Sequence, residues 1–282
     1  MMKKGISIWA FPDDWSLNKS CELAKEAGFE GVELAYHTTG SITPDSTPEA
    51  LQQIKQTCLN HGLEISSLAS GIFWEVNMLS DDESERENAK MHVENMLRIA
   101  SELELPVILV VPGFLGPFEA GPAIIGDYQL AYQRGIDAFK SLAPVAERLG
   151  VAIGVENVWN KFISSPLEMK AFLDEVDSPY VGAYFDVGNC LRTSYPEHWI
   201  PILDKHIKGI HFKDFRVNIG NLEAFVTLLE GDVNYPAVMQ ALNNIDYNGY
   251  CVVEVFARPI IPKGVVLRAG LDIDHIFEGW VP

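Results

Sequence analysis

Eight short apolar segments, separated by longer helical patterns, limit what this chain can fold into more than any other feature of its sequence. Each segment has the length and aliphatic content of a buried strand, and turn residues bound it. The predicted strands span residues 4–10, 31–36, 63–70, 106–111, 151–155, 180–185, 207–211 and 250–255. Strands that alternate with helices build parallel sheets, and eight such strands can close into a barrel. The sequence therefore predicts the α/β class and a single (β/α)8 barrel.

Helix-start and helix-stop residues lie between the predicted strands. Thr47 and Pro48 are typical of an N-cap and a first helical position, and Gly28 and Gly150 end two other helices. The predicted helices span residues 17–27, 48–61, 82–103, 128–149, 196–203, 221–230 and 235–242, and another begins at 165. Residues 264–282 are expected to form a tail after the last strand.

Length and composition allow this architecture in one domain, residues 1–282. Of the 282 residues 48% are hydrophobic, enough for a large core, and barrels of about 250 residues are commonly single domains. A doubly wound sheet is the alternative, but no GxGxxG or GxxxxGK(S/T) motif follows an early strand. We therefore expect a single TIM-barrel domain.

The charge balance argues against nucleic acid as a partner. The formal net charge is −18, and a protein that binds duplexes needs concentrated Lys and Arg to displace counterions from phosphates. A small anion remains possible if a few basic residues gather at one pocket.

The compartment is predicted from what the sequence lacks. It has no apolar run of about 18 residues, so we expect no membrane span. The apolar stretch behind the basic N-terminus is too short for a signal peptide. The four cysteines show no CxxC pairing and are expected to be reduced core thiols. We therefore predict a cytoplasmic protein.

Four ligand-type side chains stand at or next to the ends of the last four predicted strands. They are Glu156, Asp186, His211 and Glu254. Parallel strands present their C-terminal ends to one face of a barrel, so these side chains are expected to converge there. Burying several carboxylates without compensation costs several kcal/mol each, and a cation is the simplest compensation. Oxygen ligands with one imidazole suit Mn²⁺, Mg²⁺, Co²⁺ or Zn²⁺.

The segments around these residues also resemble those of a known family. The resembling segments are 31–34, 155–157, 184–189, 210–214, 230–233 and 253–255. They are similar to the xylose-isomerase-like TIM barrels of the sugar phosphate isomerase/epimerase group. That group includes ketose 3-epimerases, pentulose-5-phosphate 3-epimerases, inosose-modifying enzymes and endonuclease IV. The resemblance covers most of the chain.

The resemblance implies roles for the same residues. Glu156, Asp186, His211 and Glu254 match the family's ligands for one divalent metal ion, with Mn²⁺ expected ahead of the others. Glu156 and Glu254 also match the acid/base pair of its epimerases. Free-sugar 3-epimerases usually carry a histidine three residues after the aspartate, whereas Asn189 stands here. That version resembles the pentulose-phosphate epimerases, which implies a phosphorylated substrate. The relatives also imply a dimer or tetramer.

Polar residues near the strand ends are candidates for contacts with the substrate. Asn189 could donate a hydrogen bond to a substrate hydroxyl, or fill an ordinary turn position. Lys213 and Arg216 follow the seventh strand, where barrels often bind phosphate. Surface charges or a rim ion pair are the alternative for these two cations. Glu33 ends the second strand and is expected to support a metal ligand.

Aromatic residues are the other candidates. Trp9, Trp74 and Phe256 lie near predicted C-terminal strand ends. Aromatic walls suit a sugar and exclude water, although such residues are also common in cores.

The expected reaction is inversion at carbon 3 of a ketose by proton removal and return through an enediolate. Glu156 and Glu254 would act from opposite faces of the substrate. A keto–aldo isomerase or an inosose dehydratase uses similar chemistry and stays open. A barrel that binds a sugar phosphate without turnover is the alternative outside enzymes.

Overall fold

The computed structural model describes residues 1–116, 121–257 and 260–279. Eight parallel strands form a closed barrel, in which each strand pairs with its neighbours in chain order and the last pairs with the first. The barrel strands are β1 (Lys3–Ser7), β2 (Gly31–Ala35), β3 (Glu64–Ala69), β4 (Val107–Val110), β5 (Ala152–Glu156), β6 (Val181–Asp186), β7 (Ile207–Phe212) and β10 (Tyr250–Val253). Two short strands between β7 and β10, β8 (Asp214–Phe215) and β9 (Phe225–Val226), lie outside the barrel sheet. The predicted (β/α)8 barrel is confirmed.

Helices surround the barrel. They are α1 (Leu17–Glu26), α2 (Pro48–Asn60), α3 (Glu83–Glu102), α4 (Tyr128–Leu149), α5 (Pro166–Val176), α6 (Pro196–Leu203), α7 (Tyr235–Asn244) and α8 (Pro262–Glu278). The Thr47 hydroxyl accepts a hydrogen bond from the Ala50 N–H at 3.3 Å, so Thr47 caps α2 as predicted. Gly150 ends α4 with a left-handed φ of 69°, a conformation that glycine adopts without steric cost.

The predicted helix over 221–230 is wrong. This segment contains one 3-10 turn, Leu222–Ala224, and then β9 (Phe225–Val226), which pairs antiparallel with β8 (Asp214–Phe215). The buried Asp214 carboxylate accepts hydrogen bonds from the N–H groups of Gly231 and Val233 at 3.0 and 3.1 Å. These bonds draw the segment back over the end of β7, so long-range contacts override its local helical pattern.

The predicted tail over 264–282 is also wrong, because Pro262–Glu278 is the helix α8. Gly264 and Gly270 weaken its helical signal in the sequence. Gly270 has a packing reason: a Cβ atom there would lie 2.0 Å from the carbonyl oxygen of Ala27, at the end of α1. Residues 280–282 of the expected tail lie outside the described residues.

Smaller differences concern strand ends. β1 ends at Ser7 instead of residue 10, because Ile8–Ala10 form a single 3-10 turn that carries Trp9.

All four cysteines are buried and free of disulfides. Within the described ranges, no helix is both long and apolar enough to cross a membrane.

Candidate metal centre and its cavity

Four neighbouring strands of the barrel carry the predicted ligands at one end. Glu156 and Asp186 are the last residues of β5 and β6, His211 is the penultimate residue of β7, and Glu254 follows β10. Because β5, β6, β7 and β10 are consecutive in the barrel, the four side chains converge. One ligand atom from each lies within 4.8 Å of the others.

His211 lies at the centre of this cluster. Its Nδ1 atom is 3.7 Å from Glu156 Oε1, 3.9 Å from Asp186 Oδ2 and 3.5 Å from Glu254 Oε2. Asp186 and His211 have no exposed surface, and the two glutamates are almost fully buried. The fold therefore brings the four residues together, as the sequence predicts.

Glu33 contacts Nε2 of His211, the ring nitrogen on the opposite side from Nδ1 and the other carboxylates. Its Oε1 lies 2.9 Å from His211 Nε2, and both side chains are completely buried. The hydroxyls of Ser67 and Tyr184 donate to the other carboxylate oxygen, Oε2, at 2.8 and 2.7 Å. When Nε2–H donates to Glu33, the lone pair of His211 is left on Nδ1, which faces the other carboxylates. Glu33 thus occupies the supporting position expected for it.

Two asparagines fix the ends of β5 and β6, one through the main chain of Asp186 and the other through the carboxylates. The Asn157 side chain bridges the strands: it donates to the Asp186 carbonyl and accepts from the Asp186 N–H, both at 2.8 Å. The Asn189 N–H donates to Asp186 Oδ1 at 2.7 Å, and its amide Nδ2 lies 3.4 Å from Glu156 Oε1. Asn189 therefore orients two candidate ligands, and it also lines the cavity.

The ammonium group of Lys213 lies inside the same cluster. Nζ contacts Glu254 Oε2 and is 3.4 Å from Asp186 Oδ2. The rings of Phe225 and Phe256 lie 4.9 and 5.7 Å from it. Burial opposes the charge, yet the surrounding carboxylates outweigh burial and raise the pKa of Lys213. A permanently charged ammonium thus offsets part of the negative charge at the centre.

Burial controls the protonation of Glu156. It raises the pKa of this carboxyl to about 7, and the nearby charge of Glu254 adds to the effect, whereas His211 opposes it. Burial also raises the pKa of Asp186. A carboxyl with a pKa close to 7 can both accept and donate a proton at neutral pH.

The cluster fits a divalent metal ion. Asp186 Oδ2 and His211 Nδ1 are buried and have no hydrogen-bond partner among the described residues. Bonds of about 2.0–2.6 Å from an ion to oxygen and nitrogen place ligand atoms on opposite sides about 5 Å apart, close to the spacing found here. Three carboxylates and one imidazole are donors that Mn²⁺, Mg²⁺, Co²⁺ and Zn²⁺ accept.

A cavity of about 810 Å³ opens above the centre. Glu156, Glu254, Lys213 and Asn189 supply polar groups to it. Most of its remaining lining is aromatic or aliphatic, with tryptophans at 9, 74 and 159 and phenylalanines at 11, 225 and 256. Apolar walls with a few convergent polar groups are typical of small-molecule sites.

The structure brings most of the predicted substrate contacts into this cavity, namely Asn189, Lys213, Trp9, Trp74 and Phe256. Arg216 is not among the described residues that line it. Its side chain is 43% exposed, and Nε donates to the Glu230 carbonyl at 2.9 Å. This placement matches the rim ion pair that the sequence left open.

Sequence reasoning missed Leu222 and Phe225 as lining residues, because both lay in the segment predicted to be helical. Trp159 also lines the cavity. Its indole N–H donates to the Asn189 carbonyl at 2.8 Å, and its ring packs edge-on against Phe215 at 5.1 Å. These contacts fix the position of the Trp159 ring at the cavity wall. An alternating apolar pattern around 225 is the signal that could have revealed the short strand.

Comparisons with known proteins agree with this architecture. The family model described as xylose isomerase-like TIM barrel matches residues 21–274. The chain is 23% identical to the D-psicose 3-epimerase of Ruminiclostridium cellulolyticum, covering 97% of this chain and 90% of that protein. It is 22% identical to the inosose dehydratase of Clostridium perfringens, covering 93% of each.

A solved structure is similar over nearly the whole chain. The D-psicose 3-epimerase from Clostridium cellulolyticum H10, determined with D-tagatose, superimposes with a TM-score of 0.79 at 20% identity. The match covers 98% of this chain and 99% of that one. At this identity the likeness establishes the fold.

Proposed function

This chain belongs to the xylose isomerase-like TIM barrel family, and on that basis we propose that it is a divalent-metal-dependent epimerase that inverts carbon 3 of a keto-sugar. One observation carries the proposal. Glu156 and Glu254 both line the cavity. Glu156 ends β5 and Glu254 directly follows β10, and these are the outermost of the four neighbouring strands at the ligand cluster. Two carboxylates that flank a substrate from two sides are what inversion requires.

The two carboxylates divide the proton transfers. One glutamate removes the proton from carbon 3, and the electron pair moves towards the carbonyl at carbon 2. The other glutamate returns a proton to carbon 3 from the opposite face, and the carbonyl re-forms. Burial raises the pKa of Glu156 to about 7, and a cation at the ligand cluster would lower it, so Glu156 would be ionised and able to accept the proton at neutral pH.

The remaining residues bind the metal ion, orient one of its ligands or contact the substrate. Asp186 and His211 complete the ligand set, and Glu33 keeps the histidine in the correct tautomer. A divalent ion held by the four residues would supply the positive charge that stabilises the developing enediolate. The buried ammonium of Lys213 lies on the Glu254 side and can donate hydrogen bonds to substrate oxygens.

Other reactions of related chemistry give different products. A keto–aldo isomerase moves the proton between carbons 1 and 2, and an inosose dehydratase eliminates water. A barrel that only binds sugars has no need of two apposed bases, so the Glu156 and Glu254 pair favours turnover.

Four further points stay predictions from the sequence. They are the pentulose 5-phosphate substrate, the Mn²⁺ ion, the dimer or tetramer and the cytoplasmic location.

Solvent deuterium exchange tests the proposal. Protein loaded with Mn²⁺ is incubated in D₂O with D-ribulose, L-ribulose, D-xylulose and L-xylulose 5-phosphates and with free D-fructose. The metal is removed by a chelator before proton NMR. Deuterium at carbon 3 together with the 3-epimer supports the proposal. Exchange at carbon 1 with formation of an aldose would show an isomerase, and no exchange with a filled metal site would contradict an epimerase.

A further inference from the structure

We infer that Trp159 is a positioning residue for the candidate metal centre, and that its indole N–H acts on the ligands through Asn189. Trp159 is not one of the four candidate ligands, so its effect on the metal ion is indirect. The inference rests on the metal ion of the proposed function, but not on the sugar or on the reaction at carbon 3.

Trp159 and Asn189 occupy matching places in the chain. Trp159 lies three residues after Glu156, which ends β5. Asn189 lies three residues after Asp186, which ends β6. Because β5 and β6 pair in the barrel, the two segments that follow them lie side by side. The indole N–H donates to the Asn189 carbonyl at 2.8 Å, so one hydrogen bond joins the segments that follow two ligand-bearing strands.

The main chain of Asn189 carries the effect to Asp186. Asn189 begins a 3-10 turn, and its N–H donates to Asp186 Oδ1 at 2.7 Å. The other carboxylate oxygen, Oδ2, has no hydrogen-bond partner among the described residues and lies 3.9 Å from His211 Nδ1. The bond to Oδ1 therefore determines how Oδ2 is presented to a metal ion, and a shift of the turn would change its position.

The Asn189 side chain contacts a second ligand. Its amide Nδ2 donates to the Asn157 carbonyl at 3.1 Å and lies 3.4 Å from Glu156 Oε1. Asn189 is buried, which leaves little solvent to replace a lost hydrogen-bond donor. Because an unpaired buried carbonyl costs free energy, a turn that loses the indole N–H is expected to move towards another donor. That movement would displace the Asp186 and Glu156 carboxylates together.

Distant segments fix the ring of Trp159 itself. The ring packs against Phe215 on β8 and Phe225 on β9, with centroids 5.1 Å apart in both pairs. The guanidinium of Arg192, the last residue of the 3-10 turn, lies 4.6 Å from the centroid of the indole ring. Trp159 thus contacts both ends of the turn that begins with Asn189. A side chain held in this way can restrain the turn.

The alternative is that Trp159 acts only as an apolar wall of the cavity, which it also lines. The two roles use different parts of the side chain. A wall needs the aromatic rings, whereas positioning needs the N–H group. A change that removes the N–H and keeps the rings therefore separates the two roles.

An isosteric replacement makes this change. In Trp159→benzothienylalanine a sulfur atom takes the place of the indole N–H, and the fused rings stay. We expect the affinity for Mn²⁺, measured by titration calorimetry, to fall about tenfold, the lower end of the roughly 10–100-fold typical for loss of a group that supports a ligand. An unchanged thermal unfolding midpoint shows that the fold is intact. The same replacement at Trp15, which is not among the described lining residues, should leave Mn²⁺ affinity unchanged. Unchanged affinity in the Trp159 variant as well would overturn the inference.

Trp159→Phe is a second variant, made from the standard amino acids. Phenylalanine also lacks the N–H, so the affinity for Mn²⁺ should fall by at least as much. A loss of affinity in Trp159→Phe alone would show that ring packing, and not the N–H, positions the turn, and would overturn the inference.

The proposed reaction can fail separately. If the wild-type protein binds Mn²⁺ but exchanges no proton at carbon 3 of any sugar, the epimerase proposal falls, and a loss of Mn²⁺ affinity in both Trp159 variants still supports the positioning role. Wild-type protein that binds no Mn²⁺ would overturn both.

Discussion

The Nε2 atom of His211 lies 2.9 Å from Oε1 of Glu33, in the interior of the barrel where neither side chain has any exposed surface. This contact determines which imidazole nitrogen faces the candidate metal centre. The residues are 178 positions apart in the chain, and only closure of the barrel brings them together.

Glu33→Gln should weaken metal binding without unfolding the barrel. The neutral amide oxygen accepts the Nε2–H of His211 more weakly than the carboxylate does and so favours the tautomer with its lone pair on Nδ1 less strongly, and mutation of such a partner typically costs about 10–100-fold in metal affinity. Titration calorimetry with Mn²⁺ measures the change. Glu64→Gln, an exposed glutamate at the other end of the strands, is the matched control. Unchanged affinity in Glu33→Gln would show that the histidine does not depend on this contact.

Glu156→Gln and Glu254→Gln should each abolish most of the epimerisation. Loss of a general acid or base typically lowers turnover by about 10²–10⁴-fold. Both residues are also candidate ligands, so each assay is run at saturating Mn²⁺ with bound metal measured in parallel. Glu22→Gln changes an exposed glutamate on α1 and should have no effect. Full turnover in either cavity variant with metal bound would refute a two-base mechanism.

Lys213→Met should increase metal affinity while it lowers turnover. The Lys213 ammonium contacts the Glu254 carboxylate and lies close to that of Asp186, so a metal ion at these oxygens meets a like charge. Two unit charges 4 Å apart repel by about 4 kcal/mol at an effective dielectric constant of 20, so a tenfold gain in affinity is a modest expectation. Calorimetry with Mn²⁺ tests it, with Lys208→Met on the same strand as control. Weaker metal binding in Lys213→Met would show that the lysine supports the site.

Metal affinity should rise with pH, and more steeply below pH 7 than above it. Burial raises the pKa of Glu156 to about 7, so below that pH a metal ion must displace its proton. Above pH 7 the carboxylate is already free and this contribution ends. The apparent affinity should therefore change by about one additional power of ten per pH unit on the acid side. Calorimetry in buffers of different ionisation enthalpy counts the protons released, and equal numbers at pH 6 and 8 would contradict a raised pKa.

Gly270→Ala should destabilise the fold by about 1–3 kcal/mol through overpacking. Its new Cβ atom would lie 2.0 Å from the Ala27 carbonyl oxygen, where α8 crosses the end of α1. The higher helix propensity of alanine, worth about 1 kcal/mol, offsets only part of this cost. Urea unfolding gives the difference, and Gly126→Ala, where a Cβ atom meets nothing within 4 Å, is the control. A stabilised Gly270→Ala would mean that α8 does not pack closely there.

The barrel and the four candidate ligands were predictable because their signals are local. A buried parallel strand is a short apolar run, and a ligand such as Glu156 or Asp186 lies directly at its end. Once the strands are counted, the geometry of a parallel barrel brings those ends to one face. No long-range contact has to be known for this step.

The segment around 221–230 and α8 were mispredicted because long-range contacts decide them. The Asp214 carboxylate binds backbone N–H groups of Gly231 and Val233 and holds the preceding segment in a short strand. Gly270, which weakens the helical pattern, is needed where α8 meets the backbone of Ala27.

The sequence by itself determined the order of the eight barrel strands, the barrel that they form and the four residues that converge at the C-terminal ends of its strands. Only the tertiary structure decided that Lys213 points its charge into the ligand cluster, that Arg216 pairs with Glu230 at the rim, and which aromatic side chains line the cavity. The reason is physical. Strand order follows from hydrophobic periodicity along the chain, whereas the direction of a long side chain follows from charges and rings that distant segments place around it.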